Sequence, residues 1–434
     1  MTTVGVRRED KSIWERRVPV TPAVARQLRM RDGIETRVQP SSIRAFSDDE
    51  FRQAGAQVDE DLSACPVVLA IKEIPKDVFV PGQAYVFFSH VIKGQPYNMP
   101  MLRRLLELGC TLIDYEKITD DAGRRLIFFG WHAGVAGMLE TLRALGQRLA
   151  WQGTANPFTG LRQPYKYRDL AEALVDVDVA ADAIRTTGLP AGVAPLTIGV
   201  AGYGNVARGV WDVLHHLPVQ EVAPGDLAGL STDPAASRHV LYVTTFREEH
   251  LAAPLAAGQP FDLHRYYQHP EEFHGIFEQH LPHLDVLVNA IYWTPLYPRL
   301  VTRAYLRDAL AAGSLRLHVI GDISCDIDGA IEATVRSTEA GEPSFVYDPV
   351  TGKTTDGIAG PGVVVMAVDI LPSELPRDAS EDFSRVLAGF IPDLVAADYT
   401  APFEKLDLPA PIKRAVITHR GQLTPDYRYL EQFL

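Results

Sequence analysis

Long apolar runs are missing from this 434-residue chain. None approaches the ~20 consecutive residues that a bilayer-spanning helix needs, so no membrane partner is expected. Cysteine is scarce. Cys65, Cys110 and Cys325 are scattered, with neither metal-ligand spacing nor an even count for disulfide pairing. Such usage fits a reducing compartment, and no bound metal is expected. Positive charge is not in excess either: the net charge of −13 argues against nucleic acid or an anionic membrane surface. An anionic substrate would therefore have to be drawn in by a local arginine cluster. The opening residues carry charge within the first seven positions and lack the apolar core of a secretory leader, which leads to the expectation of a cytoplasmic protein. No internal repeat and no low-complexity segment is present.

What is there is an ordinary globular composition, 46% hydrophobic and 22% charged, long enough for two hydrophobic cores. Its most informative stretch is Leu196–His215. An apolar, β-branched run over 196–201 reads as a strand buried on both faces. Gly202 and Gly204 follow, and from Val206 the apolar residues Val206, Val210, Val213 and Leu214 recur at helical spacing. Strand, glycine turn and helix form the context in which Gly-x-Gly cradles a dinucleotide. Gly202 permits the tight turn, and Gly204 lets backbone approach a pyrophosphate. The helix start at Asn205 and Val206 offers free N–H groups and a positive dipole end. The third glycine of the usual fingerprint falls at Ala207, with Gly209 two residues later.

Before this stretch, strands are predicted over 3–8, 36–39, 67–71, 85–88, 110–115 and 126–129. A helix is predicted from Thr21-Pro22, with Thr as cap, and another over 100–108 closed by Gly109. Ser47 with Glu50 reads as a capping box. A long helix is predicted over about 132–151 and another over 168–185. Later strands are predicted at 241–244, 285–289 and 315–320, and a helix capped by Ser380, followed by helical and turn segments to the end. Alternating strands and helices imply mostly parallel sheets, so the expected fold class is α/β: two Rossmann-like domains with a cleft between them.

Lys72 and His90 end consecutive apolar strands and so fall on one edge of a parallel sheet, where open α/β folds bind ligands. A partly desolvated lysine beside other cations exchanges protons near neutrality. Arg16, Arg17, Arg124 and Arg125 are candidate carboxylate forks, with Glu73 and Glu116 as counter-charges. Asp322 follows a cofactor-domain strand and reads either as a group facing the nicotinamide or as a turn residue. His132 reads as helix-start packing, and the histidines at 264, 269, 274, 280 and 283 as solvated loop. For the ribose, Glu221 and Asp226 lie near the spacing of NAD enzymes, whereas Arg247 would meet the 2′-phosphate of NADP.

The residues also carry a resemblance. Glu15–Pro22, Phe87–Gly94, Leu112–Lys117, Phe129–Met138, Gly202–Gly209, Asn289–Trp293 and Asp369–Pro376 resemble, in order, segments of the alanine dehydrogenase and saccharopine dehydrogenase superfamily. Within it, they are similar to the lysine–2-oxoglutarate reductase half of aminoadipic semialdehyde synthases. The resemblance implies an oxidoreductase joining L-lysine to 2-oxoglutarate and reducing the imine to saccharopine, with NADPH favoured and NAD as the alternative. It implies Lys72 and His90 as acid–base groups, Arg17 and Arg125 on substrate carboxylates, and Glu73 and Glu116 tuning the site. Asn289, Tyr292 and Asp322 would lie by the cofactor. It also implies a discontinuous arrangement: 1–135 as the substrate domain, 136–371 as the dinucleotide domain, and 372–434 returning to the first. The saccharopine-oxidising half is not expected here. A related opine-type reductase, a lysine-forming saccharopine dehydrogenase and a silent binding homologue are the alternatives, and a homo-oligomer is compatible with all of them.

Overall fold

The computed structural model describes residues 2–230 and 232–434. The chain opens with β1 (Thr2–Val6) and α1 (Pro22–Asp32). The Thr21 hydroxyl accepts the Val24 N–H to start α1, and Gly33, at φ 67°, ends it. Then come β2 (Ile34–Val38), α2 (Asp48–Gln53), β3 (Gln57–Val58) and β4 (Val67–Leu69). The Ser47–Glu50 capping box at α2 is complete, each side chain bonding the other's backbone N–H. β5 (Ala84–Phe87), α3 (Met99–Glu107) and β6 (Thr111–Asp114) follow.

The long α4 (Gly130–Trp151) and α5 (Leu170–Thr187) lead to β7 (Thr197–Ala201), α6 (Asn205–Leu214), β8 (Val219–Glu221) and β9 (Leu241–Phe246). β10 (Ala252–Pro254) and β11 (Phe273–Gly275) form a small antiparallel ribbon. β12 (Val286–Asn289), β13 (Val319–Asp322), β14 (Ser344–Tyr347), β15 (Thr354–Asp356) and β16 (Val363–Met366) complete the second half. A helix over Pro376–Leu387 and the strands β17 (Val416–His419) and β18 (Gln422–Leu423) close the chain.

The chain divides into two units, one from residues up to Phe129 together with Pro376–Leu434, the other Gly130–Leu375. Each holds an eight-stranded sheet. In the first the order is β18-β17-β6-β5-β4-β1-β2-β3, parallel from β6 to β3. In the second it is β15-β14-β16-β13-β12-β7-β9-β8, parallel from β16 to β8 with β14 and β15 antiparallel. Parallel strands flanked by helices must be apolar on both faces, and β4 to β7, β12, β13 and β16 are buried throughout. Each fully buried Val, Leu or Ile stabilises its unit by about 1.5–3 kcal/mol.

Four expectations change. Residues 126–129 form no strand: the place beside β6 is taken by antiparallel β17, which returns from the far end of the chain. Phe129 instead stacks on Phe383 at 4.7 Å. Ser380 is no cap, because Pro376 sits at the first helical position four residues earlier. The Ser380 hydroxyl donates to the Pro376 carbonyl at 2.5 Å and accepts the Val18 N–H at 2.9 Å. The division of the chain falls at 129/130 rather than 135/136, since α4 belongs as a whole to the second unit. Finally, His280 is not a solvated loop residue. Its ring lies 4.9 Å from Phe246, and burial lowers its pKa to about 4.

Candidate active site

Because β1, β4, β5 and β6 run parallel, the segments following them leave one edge of the first sheet. Lys72 follows β4 and His90 follows β5, with Leu69 and Val86 in register between them. His90 has φ 53°, in the left-handed region. Glu73 reaches both sides of this edge: one carboxylate oxygen bonds His90 Nδ1 at 2.7 Å and the other Lys11 Nζ at 2.7 Å. Burial opposes ionisation of Glu73, but the bonds from His90 and Lys11 outweigh it and bring the carboxyl down to about 2.

Lys72 is half-buried, and among the described residues its ammonium makes no ion pair. Burial lowers its pKa, and the nearby Arg17 guanidinium lowers it further. A lysine so placed holds its proton loosely, which suits an acid–base group. Arg17 is 4% exposed. Its Nε and Nη2 donate to Glu15 at 2.8 and 2.6 Å, and its Cζ lies 4.2 Å from the Phe129 ring centroid. Nη1 is the part of the fork that makes no bond to Glu15. Arg125 is more open and is paired with Glu116. Arg16 donates to the Ile43 carbonyl and Arg124 to Asp120, so neither of these two guanidinium groups extends the cluster.

Three residues that sequence reasoning passed over complete the edge. Glu9, just past β1, accepts the N–H groups of Ile71 at 2.6 Å and Lys72 at 3.0 Å. Burial and the neighbouring Glu15 raise it to about 7. Asp114, at the end of β6, accepts the Ser89 N–H and hydroxyl and the Glu116 N–H. Its burial raises its pKa. Ser89 is fully buried beside it. The one signal available was an acidic residue near the ends of the β1 and β6 runs.

In the second unit, Gly202 follows β7 at φ 106°, and a Cβ there would lie 2.8 Å from the Ala290 carbonyl oxygen. Gly204 has open space where its Cβ would be, and Asn205 and Val206 begin α6 with no side-chain cap on their N–H groups. These features fit a pyrophosphate cradle. Gly209 does something else. A Cβ on it would stand 2.1 Å from the Trp131 carbonyl oxygen, and one on Gly134 1.9 Å from that of Val206. The two glycines let α4 and α6 touch backbone to backbone. His132, 5% exposed, sits in that first turn of α4 with its ring edge-on to Trp131.

A cavity of about 290 Å³ opens beside the glycine turn, lined by Gly202, Tyr203, Gly204, Tyr267 and Tyr292 among others. Arg247 follows β9, the strand next to β7, and its Cζ lies 4.6 Å from the Tyr203 ring centroid. Glu221 ends β8, one strand farther out, and Asp226 lies beyond it. Arg247 is thus the candidate nearest in topology to the turn. Asn289 donates to Asp322 at 2.9 Å, and Asp322 also accepts the Cys325 N–H and the Thr334 hydroxyl. Burial raises Asp322 to about 6. Both of its oxygens are engaged within the protein, whereas Tyr292 is 87% exposed.

Two Rossmann-like units, one with a glycine turn between strand and helix and one with a cluster of titratable side chains at its sheet edge, define a two-domain α/β class. Family models for the N-terminal and C-terminal domains of alanine dehydrogenase/PNT match residues 5–136 and 268–426, and the chain belongs to that family. It is 37% identical over 98% of its length to an alpha-aminoadipic semialdehyde synthase of Arabidopsis thaliana, covering 41% of that protein. It is 32% identical to the mitochondrial enzyme of that name in Bos taurus, covering 47%. The chain thus spans less than half the length of these relatives. A saccharopine dehydrogenase (NAD+, L-lysine-forming) of Emericella nidulans is 27% identical, over 86% of this chain and 87% of that one. Among solved structures, an L-alanine dehydrogenase matches with a TM-score of 0.63 at 18% identity, covering all of both chains. A Sinorhizobium meliloti transhydrogenase matches with 0.57 at 16% identity, over 97% of this chain and 100% of that one. Among the described residues, no helix is long and apolar enough to cross a membrane.

Proposed function

We propose that the chain catalyses the reductive joining of L-lysine to 2-oxoglutarate, giving saccharopine at the expense of NADPH. The observation that carries this reading is the cluster at the edge of the first sheet. A half-buried lysine with a lowered pKa follows one strand, and a histidine whose ring is held by an ionised carboxylate follows the strand paired with it. The ε-amine must lose a proton before it attacks the keto carbon. The carbinolamine hydroxyl must then gain one to leave as water. Lys72 and His90 are suited to these transfers, and which of the two serves each step is open to the mutants below. Arg17, through Nη1, and Arg125, in exchange with Glu116, would hold substrate carboxylates. Glu73 and Glu116 would keep the local charge balanced. Fixing two substrates in attack geometry supplies much of the rate.

The glycine turn, Asn205, Val206, Asn289 and Tyr292 would hold the dinucleotide, which when bound supplies the hydride that reduces the imine carbon. Arg247 would meet the 2′-phosphate, which supports NADPH over NAD. Asp322 would order the end of β13 near the nicotinamide through its bonds to Asn289 and Thr334 rather than by touching it. The relationship to the Emericella protein supports a second reading, the lysine-forming reaction with NAD. The scattered cysteines support a cytoplasmic setting, with small molecules as the partners and a homo-oligomer as the working assembly.

The test is the oxidation of NADPH and of NADH with lysine and 2-oxoglutarate, each omitted in turn. Oxidation that requires both, with the lower KM for NADPH, supports the reading. Oxidation with 2-oxoglutarate alone, or none with both present, removes it.

A further inference from the structure

Two carboxylates at the edge of the first sheet are buried too deeply to serve as proton carriers to a substrate. Glu9 is 7% exposed and Asp114 not at all. Glu9 spends both oxygens on backbone N–H groups of a neighbouring segment, and Asp114 one on Ser89 and the other on the Glu116 N–H. Beyond Leu69 the β-ladder runs out: Ala70 still donates to Val86, but the N–H groups of Ile71 and Lys72 go to the two oxygens of Glu9. Ser89, on the other side, gives both its N–H at 3.1 Å and its hydroxyl at 2.5 Å to Asp114 Oδ2. The next residue is His90, whose left-handed conformation is unfavourable for a non-glycine residue and persists only where neighbours hold it. Asn98 Nδ2, donating to the His90 carbonyl at 3.2 Å, holds it from the other side.

We propose that Glu9 and Asp114 are positioning residues for the two acid–base groups, Glu9 fixing the segment that carries Lys72 and Asp114 the turn that carries His90. The inference rests on the reading of Lys72 and His90 as that pair. Its physical content is local. Without Glu9 the Ile71–Lys72 segment loses two bonds, one from each N–H, and the ammonium moves toward water. Without the Asp114–Ser89 bond the His90 ring loses its alignment with Glu73. The charged neighbours of Lys72 are Arg17, Glu15, Glu73 and Lys11; His90 meets Glu73 directly and Asp114 through its field.

The experiment needs no turnover, so a failed assay with lysine and 2-oxoglutarate would remove the substrate reading and leave this one standing. Lys72 is titrated by its rate of acylation, read by mass spectrometry, and His90 by exchange of its ring C2 proton. Two variants are compared, Glu9→Gln and the charge-neutral Ser89→Ala. Loss of the Glu9 charge alone would lower the Lys72 midpoint, whereas release into water raises it. The expected result is a rise of roughly 0.5 pH unit, a three-fold change in reactivity at fixed pH, with His90 unmoved. Ser89→Ala should move the His90 midpoint and leave Lys72 alone. A Lys72 midpoint that stays or falls, an unmoved His90 midpoint in Ser89→Ala, or both groups moving in either variant, overturns the proposal. Should a variant fail to fold, amide exchange in the unaltered protein decides. Protection of Ile71, Lys72, Ser89 and Glu116 by at least about 100-fold supports it, and rates of an open loop contradict it.

Discussion

At the ends of β1, β4, β5 and β6, charge is dense and locked. Glu15 holds Arg17, Glu73 holds His90 and Lys11, and Glu116 holds Arg125. Around the glycine turn of the second unit the lining is mostly aromatic and aliphatic, and a single Glu248 takes hydrogen bonds from Tyr203 and Tyr267. The first region spends carboxylates to hold cations in fixed positions and directions. The second exposes backbone N–H groups at an uncapped helix start, a surface that suits an anion without any side chain. A proton-handling site therefore depends on individual side chains, and a dinucleotide turn on individual glycines.

The largest effect should come from the first region. Lys72→Met and His90→Gln should each lower kcat by about 10²–10⁴, with NADPH affinity measured by fluorescence titration nearly intact. Each should also erase one limb of the pH–rate profile. Mutants that bind cofactor poorly but turn over normally at saturation would reverse the division of labour. Next comes Gly202→Ala, which forces a Cβ against the Ala290 carbonyl at a φ of 106°. The strain should cost about 1–3 kcal/mol, seen as a fall in Tm and a weaker NADPH complex. An unchanged Tm would mean that the turn adapts.

Arg17→Lys removes the planar fork, and kcat/KM should fall at least tenfold, about 1.4 kcal/mol. Wild-type kinetics would reduce Arg17 to a structural partner of Glu15 and Phe129. Smaller still, Arg247→Ala should raise the KM for NADPH several-fold and leave that for NADH in place. Equal changes for both would show no contact with the 2′-phosphate.

The smallest effect concerns pH, where the two regions have opposite signs. Glu73 is lowered to about 2, so its contribution to stability is present above its unfolded value and lost as pH falls toward 2. Asp322 is raised to about 6, so its contribution is present below its unfolded value and lost as pH rises through 6. Melting curves should show Asp322→Asn flattening the decline between pH 4 and about 6 and leaving the acid limb alone. A decline of unchanged slope would contradict this.

The parts of the molecule that were legible beforehand are those whose cause is local. The strand–turn–helix around Gly202, the Thr21 and Ser47 caps and the apolar runs before Lys72 and His90 all follow from neighbours within a few residues. What escaped was set by distant partners. Glu9 holds residues more than sixty positions away, and β17 pairs with β6 from the far end of the chain. Gly209 looked like part of a nucleotide fingerprint because spacing cannot distinguish a cradle from a helix contact, and only its approach to Trp131 decides. Arg17 and Arg125 were legible as forks and Glu116 as a counter-charge, but the pairing of Arg17 with Glu15 was not, because pairing depends on the fold around it.

The central claim is that hydride reaches the carbon of an imine joining lysine to 2-oxoglutarate. Single-turnover product analysis with NADPH carrying deuterium at both C4 positions reads this transfer. The account predicts saccharopine carrying one deuterium and no labelled product when lysine is withheld. Deuterated 2-hydroxyglutarate, which requires reduction of the keto acid itself, or saccharopine without label, would contradict it.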